Sequence, residues 1–202
     1  MGEGLLASQF AITAVGRAIL GILMDACPRP EFETARFELY QSGNFAKPMD
    51  EGVSLYLYRV AVNATRRNLT PRIAPDGRRY RPALPIDLFY MLTAWARTAE
   101  RQHRLLGWAM RTLEDTPTLP SGLLNHHALP EGDAFRPDES VSLVLEPISV
   151  QDMFNIWDFA RHNIQVSATY AVRFVPLETL ALETDNGPVQ TRLIGMGRLL
   201  ES

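Results

Sequence analysis

Apolar and polar positions along the chain change period several times, and each change marks an element. Ile12, Val15, Ile19 and Ile22 recur at helical spacing behind Ser8, a fair N-cap. They predict a helix over residues 9–24 that stops before the prolines of "CPRP". Residues 35–40, "ARFELY", alternate as a strand, and "QSGNFAKPMDEG" reads as a loop rich in breakers. In "VSLYLYRVAV" (53–62), Val53, Leu55 and Leu57 face one way and Tyr56, Tyr58 and Val60 the other. Bulk on both faces places this strand centrally in a sheet. Residues 63–82 read as a long loop with a Pro-Asp-Gly turn. The stretch "RPALPIDLFYMLTAW" then predicts a third strand over 84–94, with Leu84, Ile86, Leu88, Tyr90 and Leu92 on one face and Asp87, Phe89, Met91 and Thr93 on the other.

The second half continues the pattern. Leu105, Leu106, Ala109, Met110 and Leu113 stripe a helix over 97–113, and residues 114–138 read mostly as loop, with a short helical turn at 121–125. "SVSLVLEPI" (140–148) is a fourth strand. "SVQD" fits a capping box, Ser149 with Asp152, opening a helix that carries Val150, Met153, Phe154, Ile156, Trp157 and Ala160. Residues 163–175 alternate without a break, with Ile164, Val166, Ala168, Tyr170, Val172 and Phe174 inward, until Pro176 ends the run. The tail holds a "DNGP" turn and the apolar "TRLIGMGRLL". This order predicts one α/β (α+β) domain over residues 1–176, a mixed, mostly antiparallel sheet flanked by helices, with a C-terminal arm or extra strand over 177–202.

Composition narrows the picture. At 202 residues and 46% hydrophobic, the chain can bury a real core. Cys27 is the single cysteine and cannot form an internal disulfide, so it reads as a small hydrophobe at a helix end. Glu3 sits where a signal peptide wants positive charge, and Gly16 and Arg17 interrupt the first apolar run, so neither a signal nor a membrane span is expected. The net charge is −3, yet residues 59–111 hold eleven arginines against Asp76, Asp87 and Glu100. Arginine enters interfaces more readily than lysine, so a basic segment on an acidic chain suggests a directional partner surface.

Candidate chemistry is sparse. No phosphate loop, nucleophile elbow or zinc spacing is found, so no catalytic, cofactor-binding or metal residue is assigned and the chain is not expected to be an enzyme. His126 and His127 are adjacent and should point apart; His103 suits a structural polar contact. Asp87, inside an apolar strand, needs a partner, an arginine from 78–81 or a backbone cap, unless it lies on a wet face. The loop "RRNLTPRIAPDGRRYR", with six arginines and Tyr80, is the one stretch that suits nucleic acid, which an acidic whole argues against.

Three segments in order and spacing, "VSLYLYRVAVNATRRN", "RPALPIDLFYMLTAWARTAERQHRLLGWAMRTLEDTPTL" and "SLVLEPISVQDMFNIWDFARHNIQVSATYAVRFV", resemble the tail-terminator (cap) protein of extracellular contractile injection systems, the phage-tail-like particles of virulence-cassette and antifeeding-prophage type. The similarity runs from about residue 8 to 176, and is weakest at 131–139 and beyond 176. The resemblance implies a structural protein that ends tube and sheath at the baseplate-distal end, as a homo-hexameric ring. It implies the sheath protein, the inner tube protein and further copies of the chain as partners. It implies no cofactor, no small-molecule substrate and no membrane, with nucleic acid not expected. It also implies assembly in the bacterial cytoplasm, compatible with release on lysis. A tail-completion or adaptor protein of a related phage tail is the nearest alternative, and a small nucleic-acid-binding module using the 66–81 loop is the alternative from another class. Within an assembly protein the residues expected to meet partners are Arg66, Arg67, Arg72, Arg78, Arg79 and Arg81 in the loop, and Arg192, Leu193, Ile194 and Arg198 in the tail. The tail would add a strand to an exposed sheet edge by backbone pairing.

Overall fold

The structure, a computed structural model, describes residues 10–66, 69–74, 76–128, 133–158 and 163–183. One six-stranded sheet organises them: β1 (Arg36–Tyr40), β2 (Gly52–Val62), β5 (Leu84–Trp95), β8 (Ser167–Leu177), β7 (Ser140–Leu145) and β6 (Thr118–Pro120), in that spatial order. β1 runs parallel to β2; every other pair is antiparallel. A two-stranded hairpin, β3 (Arg72–Ile73) and β4 (Arg79–Tyr80), stands apart. The mixed, mostly antiparallel α/β fold expected from the sequence is the one found.

Among the described residues four helices cover the sheet. α1 (Ala11–Ala26), α2 (Ala99–Glu114) and α3 (Ser121–Ala128) close one face over Val53, Leu55, Ile86, Leu88, Tyr90, Leu92, Tyr170 and Val172. α4 (Val150–Trp157) lies on the other face, where Tyr40, Phe45, Met49, Met91, Trp95 and Trp157 form a second, aromatic core. The alternation along the third predicted strand therefore divides two cores: even residues from Ile86 to Ala94 face the first, and Met91 and Trp95 the second. Every residue of β5 from Pro85 onward is buried.

Several expectations need correction. α1 extends to Ala26, and its buried face is made of Ala11, Ala14, Val15, Ala18, Ile19 and Leu23, while Ile12 and Ile22 are only half-buried. Small residues let the helix approach its neighbours closely, so the packed stripe is not the bulkiest one. Ser8 lies outside the described residues. The span 63–82 is not all loop, since it folds back as the β3–β4 hairpin, with Asp76 Oδ1 accepting the Arg78 N–H at 3.0 Å. The span 114–138 contains β6 and all of α3. "QSGNFAKPMDEG" contains a 3₁₀ turn, Ser42–Ala46, that buries Phe45. β8 begins at Ser167, after Ile164 and Val166, both 46% exposed, and Pro176 pairs within it. Ser149 caps α4 as expected, its Oγ accepting the Asp152 N–H at 3.0 Å.

β2 is less central than expected. β1 pairs only with Gly52 to Tyr56, so among the described residues the upper half of β2 has one neighbour, β5. Gly52 opens the strand at φ +146, a region that a side chain rarely tolerates, and a Cβ there would collide with the Arg36 carbonyl oxygen. Gly52→Ala is expected to detach β1 and cost about 3 kcal/mol, checked by urea unfolding followed by circular dichroism.

Candidate assembly surface

Asp87 is the one charged residue in β5, and Arg173 the one in β8. The two strands meet at an irregularity. Ile86 pairs with Val175 and Leu88 with Val172, so Asp87 faces both Arg173 and Phe174. The extra residue makes a β-bulge, and Phe174 takes φ 65 there. A bulge leaves a backbone donor without a ladder partner, and Asp87 supplies one: its Oδ1 accepts the Phe174 N–H at 3.1 Å. Arg173 Nη1 donates to Oδ2 at 2.8 Å, and Asn63 Nδ2 donates to both carboxylate oxygens at 2.9 and 3.1 Å. Arg173 Nη2 reaches on to Glu146 at 2.8 Å. The expected backbone cap is thus real, but the arginine is Arg173 and not one from 78–81. Burial opposes ionisation of Asp87, yet the hydrogen bonds from Asn63, Arg173 and Phe174 outweigh it and hold the carboxyl below its ordinary range.

Among the described residues no helix covers the second face of the sheet at this end. Guanidinium groups cover it instead: Arg59 and Arg173 lie over the Phe89 ring at 4.8 and 5.1 Å from its centroid. Phe89 is thereby buried beside a charged surface.

The described arginines of the 66–81 loop gather at the same end. Arg66 lies over the Phe174 ring at 4.3 Å, and its N–H donates to Asn63 Oδ1. Arg72 stacks on Tyr80 at 4.0 Å and pairs with Glu178 at 3.6 Å. Arg78 pairs with Asp76 at 3.1 Å and Arg79 with Glu183 at 2.9 Å. The Arg81 N–H donates to the Ala181 carbonyl. Arg67, Arg192, Leu193, Ile194 and Arg198 lie outside the described residues. Arg136, which the sequence did not single out, joins Glu139 at 2.9 Å and Glu178 at 3.0 Å and ties the segment before β7 to the end of β8. Three of the loop arginines therefore already hold carboxylates of their own chain. They anchor the hairpin as well as exposing positive charge.

Asn63, Arg173 and Glu146 were also missed. The available signal was the pair of lone opposite charges inside two apolar strands. Reading it requires knowing that β5 and β8 are neighbours.

Elsewhere a cleft of about 580 Å³ is lined by Thr34, Arg36, Asp50, Glu51, Arg97 and Arg101. Glu51 accepts hydrogen bonds there from the Thr34 hydroxyl and from Arg101. His126 and His127 do not point apart as expected; within the last turn of α3 their rings meet edge to face at 4.8 Å. Among the described residues no group of three or more His, Cys, Asp and Glu could hold a metal ion, and no helix is long and apolar enough to cross a membrane.

With this geometry in hand, comparison with known proteins places the chain. No curated protein matches it. Among solved structures, the sheath/tube terminator of an extracellular contractile injection system (PVC) in its extended state is similar at a TM-score of 0.62 and 16% identity, covering 95% of this chain and 64% of the terminator. The tube-terminating cap of the anti-feeding prophage is similar at 0.56 and 14% identity, covering 92% of this chain and 60% of the cap. The chain thus spans a little over three fifths of the length of the proteins whose fold it shares. The sequence matches the Pvc16 N-terminal domain over residues 15–191, most of its length. By that match, the chain belongs to the Pvc16 N-terminal domain family.

Proposed function

We propose that the protein is a structural cap that terminates the tube and sheath of a contractile injection particle at the baseplate-distal end, as a hexameric ring. The observation that carries this reading is the fold: nearly all of the chain superposes on a protein described as a sheath/tube terminator and on one described as a tube-terminating cap. The molecule's own features fit such a task. Two cores on opposite faces of one sheet make a stiff body, and the arginine-rich end gives it a directional charged surface. The sheath protein, the inner tube protein and further copies of this chain are the partners, and the arginines at 66–81 and the tail residues Arg192, Leu193, Ile194 and Arg198 are the contacts assigned to them. The hairpin does not favour the nucleic-acid alternative, since Arg72, Arg78 and Arg79 are engaged by Glu178, Asp76 and Glu183.

Electron microscopy of the purified chain mixed with tube and sheath proteins tests the reading. Six-fold rings closing tubes at one end are expected. Chains that ignore tube ends, or decorate their sides, would overturn it. In the same assay Arg78→Glu/Arg79→Glu is expected to reduce end-closure, because it reverses exposed charge and sets the hairpin against Asp76 and Glu183.

A further inference from the structure

The six-stranded sheet has two open half-edges, at diagonally opposite corners. At one end, β1 covers β2 only up to Tyr56. At the other, β6 covers β7 only up to Ser142, with one further bond from the Leu143 N–H to the Pro117 carbonyl. Backbone groups alternate direction along a strand. The Asn63 N–H points inward, to Pro85 of β5, so the N–H and C=O groups of Val62 and Val60 point outward. The Glu146 N–H points inward, to Thr169 of β8, so those of Leu145 point outward, as those of Leu143 do. Among the described residues no strand pairs with either stretch. Both also expose apolar side chains: Val60 is 47% and Val62 50% exposed, Val144 39% and Leu145 45%. Open, β-branched edges of this kind are templates for strand pairing, and soluble proteins rarely leave them uncovered.

We infer that these two half-edges pair with each other between successive copies of the chain, β2 of one against β7 of the next. This rests on the ring reading above and supplies its contact. β2 and β7 run in opposite directions in the sheet, so the junction is antiparallel and extends the sheet from copy to copy. Pro117 already occupies the position opposite Leu143, so the register that fits places Val62 opposite Leu145 on the helix-covered face and Ala61 opposite Glu146 on the other. Val62 and Leu145 then exchange both outward hydrogen bonds. Glu146, whose side chain is 34% exposed and held by Arg173, gains a second guanidinium from the neighbour's Arg59, diagonally across the junction. On the helix side, Leu106 and Met110 extend from Leu145 as an apolar groove of about 330 Å³ that the neighbour's two valines reach. The two edges are different surfaces, so the contact is head-to-tail and propagates around a ring instead of closing as a two-fold dimer.

Cross-linking tests the contact. In a Cys27→Ala background of the full chain, Val62→Cys and Leu145→Cys are combined and oxidised after mixing with tube and sheath proteins. A disulfide ladder of multiples of the chain is expected on denaturing gels, while each single-cysteine variant stays without one. A second variant, Val60→Pro, removes an outward N–H but no bond to β5, so folding by circular dichroism should persist while association, read by mass photometry, falls at least tenfold. Rings that close tube ends without a ladder would overturn this contact and leave the cap reading standing. A ladder with bare tube ends would support the contact and sink the cap reading. Undiminished association of Val60→Pro would overturn the contact as well.

Discussion

Asp87→Ala is expected to destabilise the domain by about 3 kcal/mol, the largest single effect of a polar substitution in this chain. The carboxylate holds Arg173, Asn63 and the bulged Phe174 N–H at once. Removing it leaves a partly buried guanidinium with Glu146 alone and a backbone donor with nothing. Asp87→Asn keeps the shape but not the charge and should cost less, about 2 kcal/mol. Acid dependence separates this from a packing defect. The folded carboxyl is held below its ordinary value, so the ion's contribution is fully present above the unfolded value, about pH 4, and is lost as pH falls through the lower folded value. Urea midpoints measured between neutral pH and pH 3 should therefore converge between the native chain and Asp87→Asn. A constant gap at every pH would refute the ionic role.

Trp157→Ala should cost about 3–5 kcal/mol, as deletion of a fully buried tryptophan does elsewhere. Trp157 is the one fully buried side chain of α4, and its ring meets Phe45 edge to face at 5.1 Å. Without it α4 keeps only the half-buried Met153 and Ile156 against the sheet, since Val150 is 73% and Phe154 54% exposed. Trp157→Phe should be much milder. The indole Nε1 has no hydrogen-bond partner among the described residues, so losing that donor removes a penalty along with some contact area. Thermal unfolding by calorimetry decides: a melting temperature for Trp157→Ala close to that of Trp157→Phe would mean that α4 is held by something other than this ring.

The sequence was most legible where a strand divides two buried faces. Residues 84–95 alternate strictly because the even positions pack under α1 and α2 while Met91 and Trp95 pack under α4, and that is a local pattern. It was least legible where small or polar residues do the packing. The buried face of α1 is largely alanine, so its bulkiest stripe misleads, and α3, with two histidines and an asparagine, reads in sequence only as a short helical turn at 121–125. The arginine loop was visible as charge, but nothing local says that Glu178 and Glu183, about a hundred residues away, would return to pair with it.

By itself, then, the chain's order of apolar periods determined the class of fold, the strands β1, β2, β5 and β7 and the helices α2 and α4, while the family resemblance came separately from the similarity of three segments to known proteins. Those features depend on neighbours within a turn or a strand, and binary pattern records such neighbours directly. Only the tertiary structure decided which strands adjoin, and with that which lone charges meet, where β2 lacks a partner and which arginines are already engaged. Strand adjacency is a contact between residues far apart in sequence, set by how two cores share one sheet. Asp87 and Arg173 are 86 residues apart, and only folding makes them a pair.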